Sequence, residues 1–79
     1  MKTVKILIND IDKVKSLVNT TAKYSNDFDL RRGRYVIDAK SILGVFSLDI
    51  SQPVYLDIHT TCEKDLNMIL MDMSKFIVE

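Results

Sequence analysis

The chain is short of most residues that announce an activity. Its 79 residues include one cysteine, one proline, two glycines, one histidine and no tryptophan, and its 11 Lys and Arg cancel its 11 Asp and Glu. Each shortage excludes something. A single cysteine, Cys62, makes no internal disulfide, and with no signal-peptide pattern this predicts a cytoplasmic protein. So little glycine and proline excludes a collagen-like or low-complexity segment. Zero net charge removes the global field that draws a protein to nucleic acid or to an anionic membrane, so neither is expected as a partner. The longest aliphatic or Met run, Met68-Ile69-Leu70-Met71, is far below the roughly 20 residues of a membrane span. What remains is a 47% apolar, 28% charged chain that predicts one folded domain, 1–79. A chain this small buries only about 60% of its unfolded surface, so an enclosed substrate cavity would compete with the core and function is expected on the surface.

Hydrophobic periodicity divides the chain without a linker or repeat. Val4, Ile6 and Ile8 alternate over 3–8 as a half-buried strand. Asn9, Asp10 and Asp12 offer capping side chains, and Ile11, Val14, Leu17, Val18, Thr21 and Ala22 then recur at helical spacing over 11–24. Phe28 and Leu30 alternate again, Arg31-Arg32-Gly33-Arg34 reads as a turn, and Tyr35 to Ile37 completes a hairpin. Ser41 is placed to cap a short helix over 40–48. Its Ile42, Leu43, Val45, Phe46 and Leu48 cover more of the circumference than one packing face needs, so part of that helix is expected to be exposed. Pro53 opens a fourth strand through His59. Thr60 to Glu63 reads as a capping box for a last helix whose stripe runs from Leu66 through Met73 to Phe76 and Ile77. The order β-α-β-β-α-β-α predicts an α+β fold, a four-stranded, mainly antiparallel sheet with three helices on one face. The other face is expected to be wet and to carry Lys5, Tyr35, Tyr55, Asp57 and His59, with Leu7 and Ile37 as less comfortable members.

The segment Asp38-Ala39-Lys40-Ser41-Ile42-Leu43-Gly44-Val45-Phe46-Ser47-Leu48 resembles the Lys-Ser-Ile-Met-Gly-Val-Met-Ser-Leu stretch of HPr, the histidine-containing phosphocarrier of the bacterial sugar phosphotransferase system. The resemblance extends in order through nearly the whole chain and implies the HPr open-faced β-sandwich. It also implies a regulatory phosphorylation site at Ser41 and a protein-binding surface at Lys40, Ile42, Leu43 and Phe46. The family's phosphate-accepting motif, Gly-Ile/Leu-His-Ala-Arg-Pro, has no counterpart. Ile8-Asn9-Asp10-Ile11-Asp12-Lys13-Val14 stands there instead, and an ungapped count back from Ser41 puts Asp10 at the place of the histidine and Asp12 at that of the arginine. Carboxylates at a helix N-terminus occupy or repel from the N–H donors an anion needs.

The expectation is therefore an HPr-like, Crh-like regulatory or protein-binding module, not an enzyme, with no cofactor and no metal. The resemblance implies HPr kinase or a catabolite-control transcriptional regulator as partner. Two alternatives stay open: a phosphocarrier with Asp10 or His59 as its acceptor, and a structural homodimer joined through the exposed helix or by strand exchange. Asn9, Asp10, Asp12, Asp27 and Asp29 have no EF-hand spacing, and helix capping explains the first three without a metal, while Arg31, Arg32 and Arg34 form a solvated, charged hairpin tip.

Overall fold

The computed structural model describes residues 1–78. Its elements are β1 (Lys2–Ile6), α1 (Ile11–Ala22), β2 (Asp27–Arg32), β3 (Tyr35–Asp38), α2 (Ile42–Phe46), β4 (Val54–His59) and α3 (Glu63–Met73). The strands form one antiparallel sheet in the order β1-β4-β2-β3. Alternation sends Val4 and Ile6 of β1, Phe28 and Leu30 of β2, and Val54, Leu56 and Ile58 of β4 to the covered face, all of them buried. Val14 and Leu17 of α1, Val45 of α2, and Ile69 and Met73 of α3 meet them from above. This is the expected α+β open-faced sandwich.

Several local expectations are corrected. The hairpin loop is only Gly33-Arg34, because Arg32 pairs with Tyr35. Gly33 takes φ +58 there, the left-handed conformation such a short loop demands. This register opposes Leu30 to Ile37 and Arg31 to Val36. Ile37 and Tyr35 thus lie on the helix side, and Val36, not Ile37, is on the open face. The stripes of the helices are also narrower than predicted: Ile11 is 58% exposed, and Ala22 is exposed beyond the buried Thr21.

The last helix stops at Met73, four residues short of Ile77. Phe76 and Ile77 fit a helical period, yet Leu7 donates its N–H to the Phe76 carbonyl at 2.9 Å, Val78 donates to that of Lys5 at 3.0 Å, and Ile77 bridges Ile6. The tail therefore lines the outer edge of β1 and drops Phe76 into the core, covering backbone groups an edge strand would otherwise present. At the other end of α3 the capping box does not form. The helix begins at Glu63 behind Cys62, which makes no side-chain cap, while Thr60 Oγ1 accepts from the Cys62 N–H in a tight turn before it.

Candidate functional site

Two helix starts and the open sheet face hold the residues singled out above. At α1 the N-cap is Asp10, whose Oδ1 accepts from the Lys13 N–H at 2.8 Å. Asp12 adds a second carboxylate in the first turn, and Lys13 Nζ reaches the Asn9 side-chain oxygen at 3.0 Å. Both carboxylates favour the positive end of the helix dipole and leave it negatively charged to an approaching anion.

At α2 the arrangement differs. Lys40 donates its backbone N–H to the Asp38 carboxylate and Ser41 donates to the Asp38 carbonyl, which turns the chain after β3. Ser41 Oγ then accepts from the Gly44 N–H at 3.2 Å as the N-cap, with the residue exposed. The helix is one turn and a half long. Only Val45 is buried on it; Ile42 is 36%, Leu43 81% and Phe46 42% exposed. These three share a surface beside Ser41. Lys40 does not join them with its charge, because its Nζ donates to the Tyr24 carbonyl at 2.7 Å and lies 5.8 Å from the centre of the Phe28 ring. Tyr24 is itself held by donating its hydroxyl to Asp72, a bond that pushes its pKa up to about 12. A chain of contacts thus runs from the start of α2 through the end of α1 to α3.

His59 stands elsewhere. It ends β4, whose first residue, Val54, pairs with Ile6 just before the chain leaves for Asp10. Five steps along a strand, roughly 17 Å, separate the level of His59 from that of Val54. The structure therefore does not bring His59 and Asp10 together. His59 Nε2 pairs with Asp29 Oδ2 at 2.8 Å, across the β4–β2 boundary.

Beside that pair, Asp57 was expected in water on the open face and is instead 4% exposed. Arg31 covers it with two bonds, Nε to Oδ2 at 2.5 Å and Nη2 to Oδ1 at 3.0 Å, and Thr3 donates its hydroxyl at 2.6 Å. The Arg31 guanidinium holds the Asp57 carboxyl below the usual carboxylate range, against the opposing push of burial. Arg31 also lies 5.4 Å from the centre of the Tyr55 ring. The sequence reading missed Asp29 and Arg31 as partners. The signal for both is cross-strand register, since Asp29 stands opposite Asp57 and Arg31 opposite Tyr55, and a carboxylate facing a carboxylate requires cations nearby.

No protein-family model matches the chain, and no curated protein does. Solved structures do. HPr-C-His of Thermoanaerobacter tengcongensis is 28% identical with a TM-score of 0.74, over 95% of this chain and 92% of that one. The histidine-containing phosphocarrier protein of a mycoplasma is 14% identical with a TM-score of 0.69, over 99% and 100%. The phosphocarrier protein HPr of Bacillus anthracis strain Ames is 18% identical with a TM-score of 0.63, over 90% and 92%. TM-scores of 0.63 to 0.74 over nearly the full length on both sides agree with the antiparallel four-stranded sheet and three helices described above: this chain has the HPr-like fold.

Proposed function

We propose that this chain is a regulatory or protein-binding relative of the phosphotransferase-system phosphocarriers that does not itself carry phosphate on histidine. The observation behind this reading is the start of α1, where Asp10 caps the helix and Asp12 follows, with no histidine or arginine between Asn9 and Lys15. A phosphoryl group arriving there meets the Lys13 N–H already taken by Asp10, and the negative charge of two carboxylates. The sole histidine is committed to Asp29 at the far end of the sheet.

In this reading the working surface is Ser41 with Ile42, Leu43 and Phe46. Ser41 takes regulatory phosphate and the three apolar side chains dock a protein, as exposed apolar groups clustered on one short element commonly do. The partner is HPr kinase or a catabolite-control transcriptional regulator. The protein acts by binding and is not an enzyme.

Incubation with enzyme I and labelled phosphoenolpyruvate is expected to leave the chain unlabelled. Acid-labile label on His59, or base-labile label on Asp10, would show a phosphocarrier and overturn the reading. HPr kinase is expected to modify the wild type at Ser41 and to leave Ser41→Ala unmodified. Phe46→Glu is expected to abolish capture of the kinase or regulator while the circular dichroism spectrum stays that of the wild type.

A further inference from the structure

We propose that the groove between the β2–β3 loop and the C-terminal end of α2 receives an acidic peptide segment of a partner protein. A carboxylate of that segment sits on Arg34, and an apolar side chain lies against Tyr35 and Leu48. The inference extends the docking surface argued above and rests on that reading.

The groove has a volume of 650 Å³, inside the range of sites that hold ligands, and is lined by the hairpin residues Arg32 to Tyr35 and by Ser47 to Asp49 of the opposite wall. Its charges are not equivalent. Arg32 donates to the Pro53 carbonyl at 3.3 Å and lies 3.7 Å from Asp49, so each of those charges already has a counterpart. Asp49 is further engaged by the Ser51 N–H and hydroxyl, which hold its carboxyl below the ordinary range. Arg34 has neither a hydrogen bond nor an ion pair among the described residues. The groove therefore presents one uncommitted guanidinium and no uncommitted carboxylate, which selects an anionic group.

The apolar component selects against a bare anion. Tyr35 is 71% exposed, an aromatic ring left in water beside Arg34, and Leu48 closes the floor at 7% exposure. One helical turn before Ser47 stands Leu43, so the exposed face of α2 leads directly into the groove. Nucleic acid is the poorer occupant, since one free arginine on a chain of zero net charge releases few counterions.

Isotope-labelled protein titrated with the acetylated tripeptide amide Glu-Phe-Glu tests this by NMR shift mapping. Saturable shifts are expected at the amides of Gly33, Arg34, Ser47 and Asp49. The Gln-Phe-Gln counterpart is expected to bind about tenfold more weakly, the loss of one charge-assisted hydrogen bond. Arg34→Gln should lose the same factor towards Glu-Phe-Glu while the remaining amide positions stay in place. Equal binding of the two peptides, shifts centred elsewhere, absence of saturation, or complete displacement by inorganic phosphate at equal concentration would each overturn the proposal. Capture of HPr kinase by a protein whose groove takes no peptide ends this inference alone. Peptide binding in the groove with Phe46→Glu as competent as wild type in kinase and regulator capture ends the α2 docking reading alone.

Discussion

The beginnings of α1 and α2 use one physical device in two ways. Each has a side-chain oxygen accepting from a backbone N–H three residues on, Asp10 to Lys13 and Ser41 to Gly44. At α1 the cap is a charged carboxylate followed by Asp12, on a helix that buries Val14, Leu17, Thr20 and Thr21. At α2 the cap is a neutral hydroxyl, on a helix that buries Val45 alone and shows Leu43 and Phe46 to solvent. The first helix is packed deeply into the core and carries two carboxylates at its start. The second is lightly held and leaves its apolar side chains in solvent. Local charge and depth of burial, more than fold, separate the two, since both helices rest on the same sheet.

The sharpest way to break this contrast is to truncate one leucine in each helix. Leu17 is fully buried, so Leu17→Ala removes its transfer energy and leaves a cavity, a loss of about 2–5 kcal/mol. Leu43 is 81% exposed, and Leu43→Ala should stay within about 0.5 kcal/mol of wild type. Urea denaturation of the two variants measures the difference directly. Equal losses would show that α2 is as deeply anchored as α1 and that its apolar side chains belong to the core.

A second, smaller effect concerns the sheet under both helices. Asp57→Ala strips Arg31 and Thr3 of their shared acceptor and should cost about 1–2 kcal/mol. The wild type should also show an acid-sensitive component that this variant lacks. In the unfolded chain an aspartate titrates near pH 3.9, and in the fold Arg31 holds Asp57 lower. The stabilisation is fully present above that unfolded value and disappears as pH falls through the folded one. Denaturation midpoints of wild type and Asp57→Ala should therefore converge as pH drops below about 4. A gap that stays constant to lower pH would assign the loss to packing and not to the ion pair.

Much of this was legible from alternation and capping residues. Ser41 was readable as a cap because a serine precedes a run of helical period, and the exposure of part of α2 followed from a circumference too apolar for one face. What escaped depends on hydrogen bonds between distant segments. Phe76 and Ile77 continue the helical spacing of α3, and nothing local reveals that Leu7 and Ile6 claim them as an extra edge. The phase of β3 was misread by including Arg31 and Arg32 in the turn. A two-residue loop with glycine first exchanges Ile37 for Val36 on the open face, because a strand's side chains alternate strictly. Asp57 was placed on the correct face, but its burial depends on an arginine 26 residues away. His59 is exposed at the end of β4 as expected, but its partner Asp29, 30 residues distant, has no local signal.

The smallest effect tests the two caps against each other. Asp10→Ala should destabilise by about 1 kcal/mol, the usual loss for an N-cap, whereas Asp10→Asn, which keeps an accepting oxygen, should be close to neutral. Ser41→Ala removes the same kind of bond from a helix of five residues with one buried side chain, so its loss should fall at the low end of capping effects, about 0.5 kcal/mol. Thermal melts of the three variants rank them. If Ser41→Ala were the more costly, the cap would be holding more structure than α2 itself, and the short segment from Asp38 to Ser41, tied to the body through Lys40 and Tyr24, would be the part it secures. If Asp10→Asn lost as much as Asp10→Ala, the negative charge at α1 and not the hydrogen bond would be the stabilising element, and the carboxylate would be bound by the same field that an incoming anion must use.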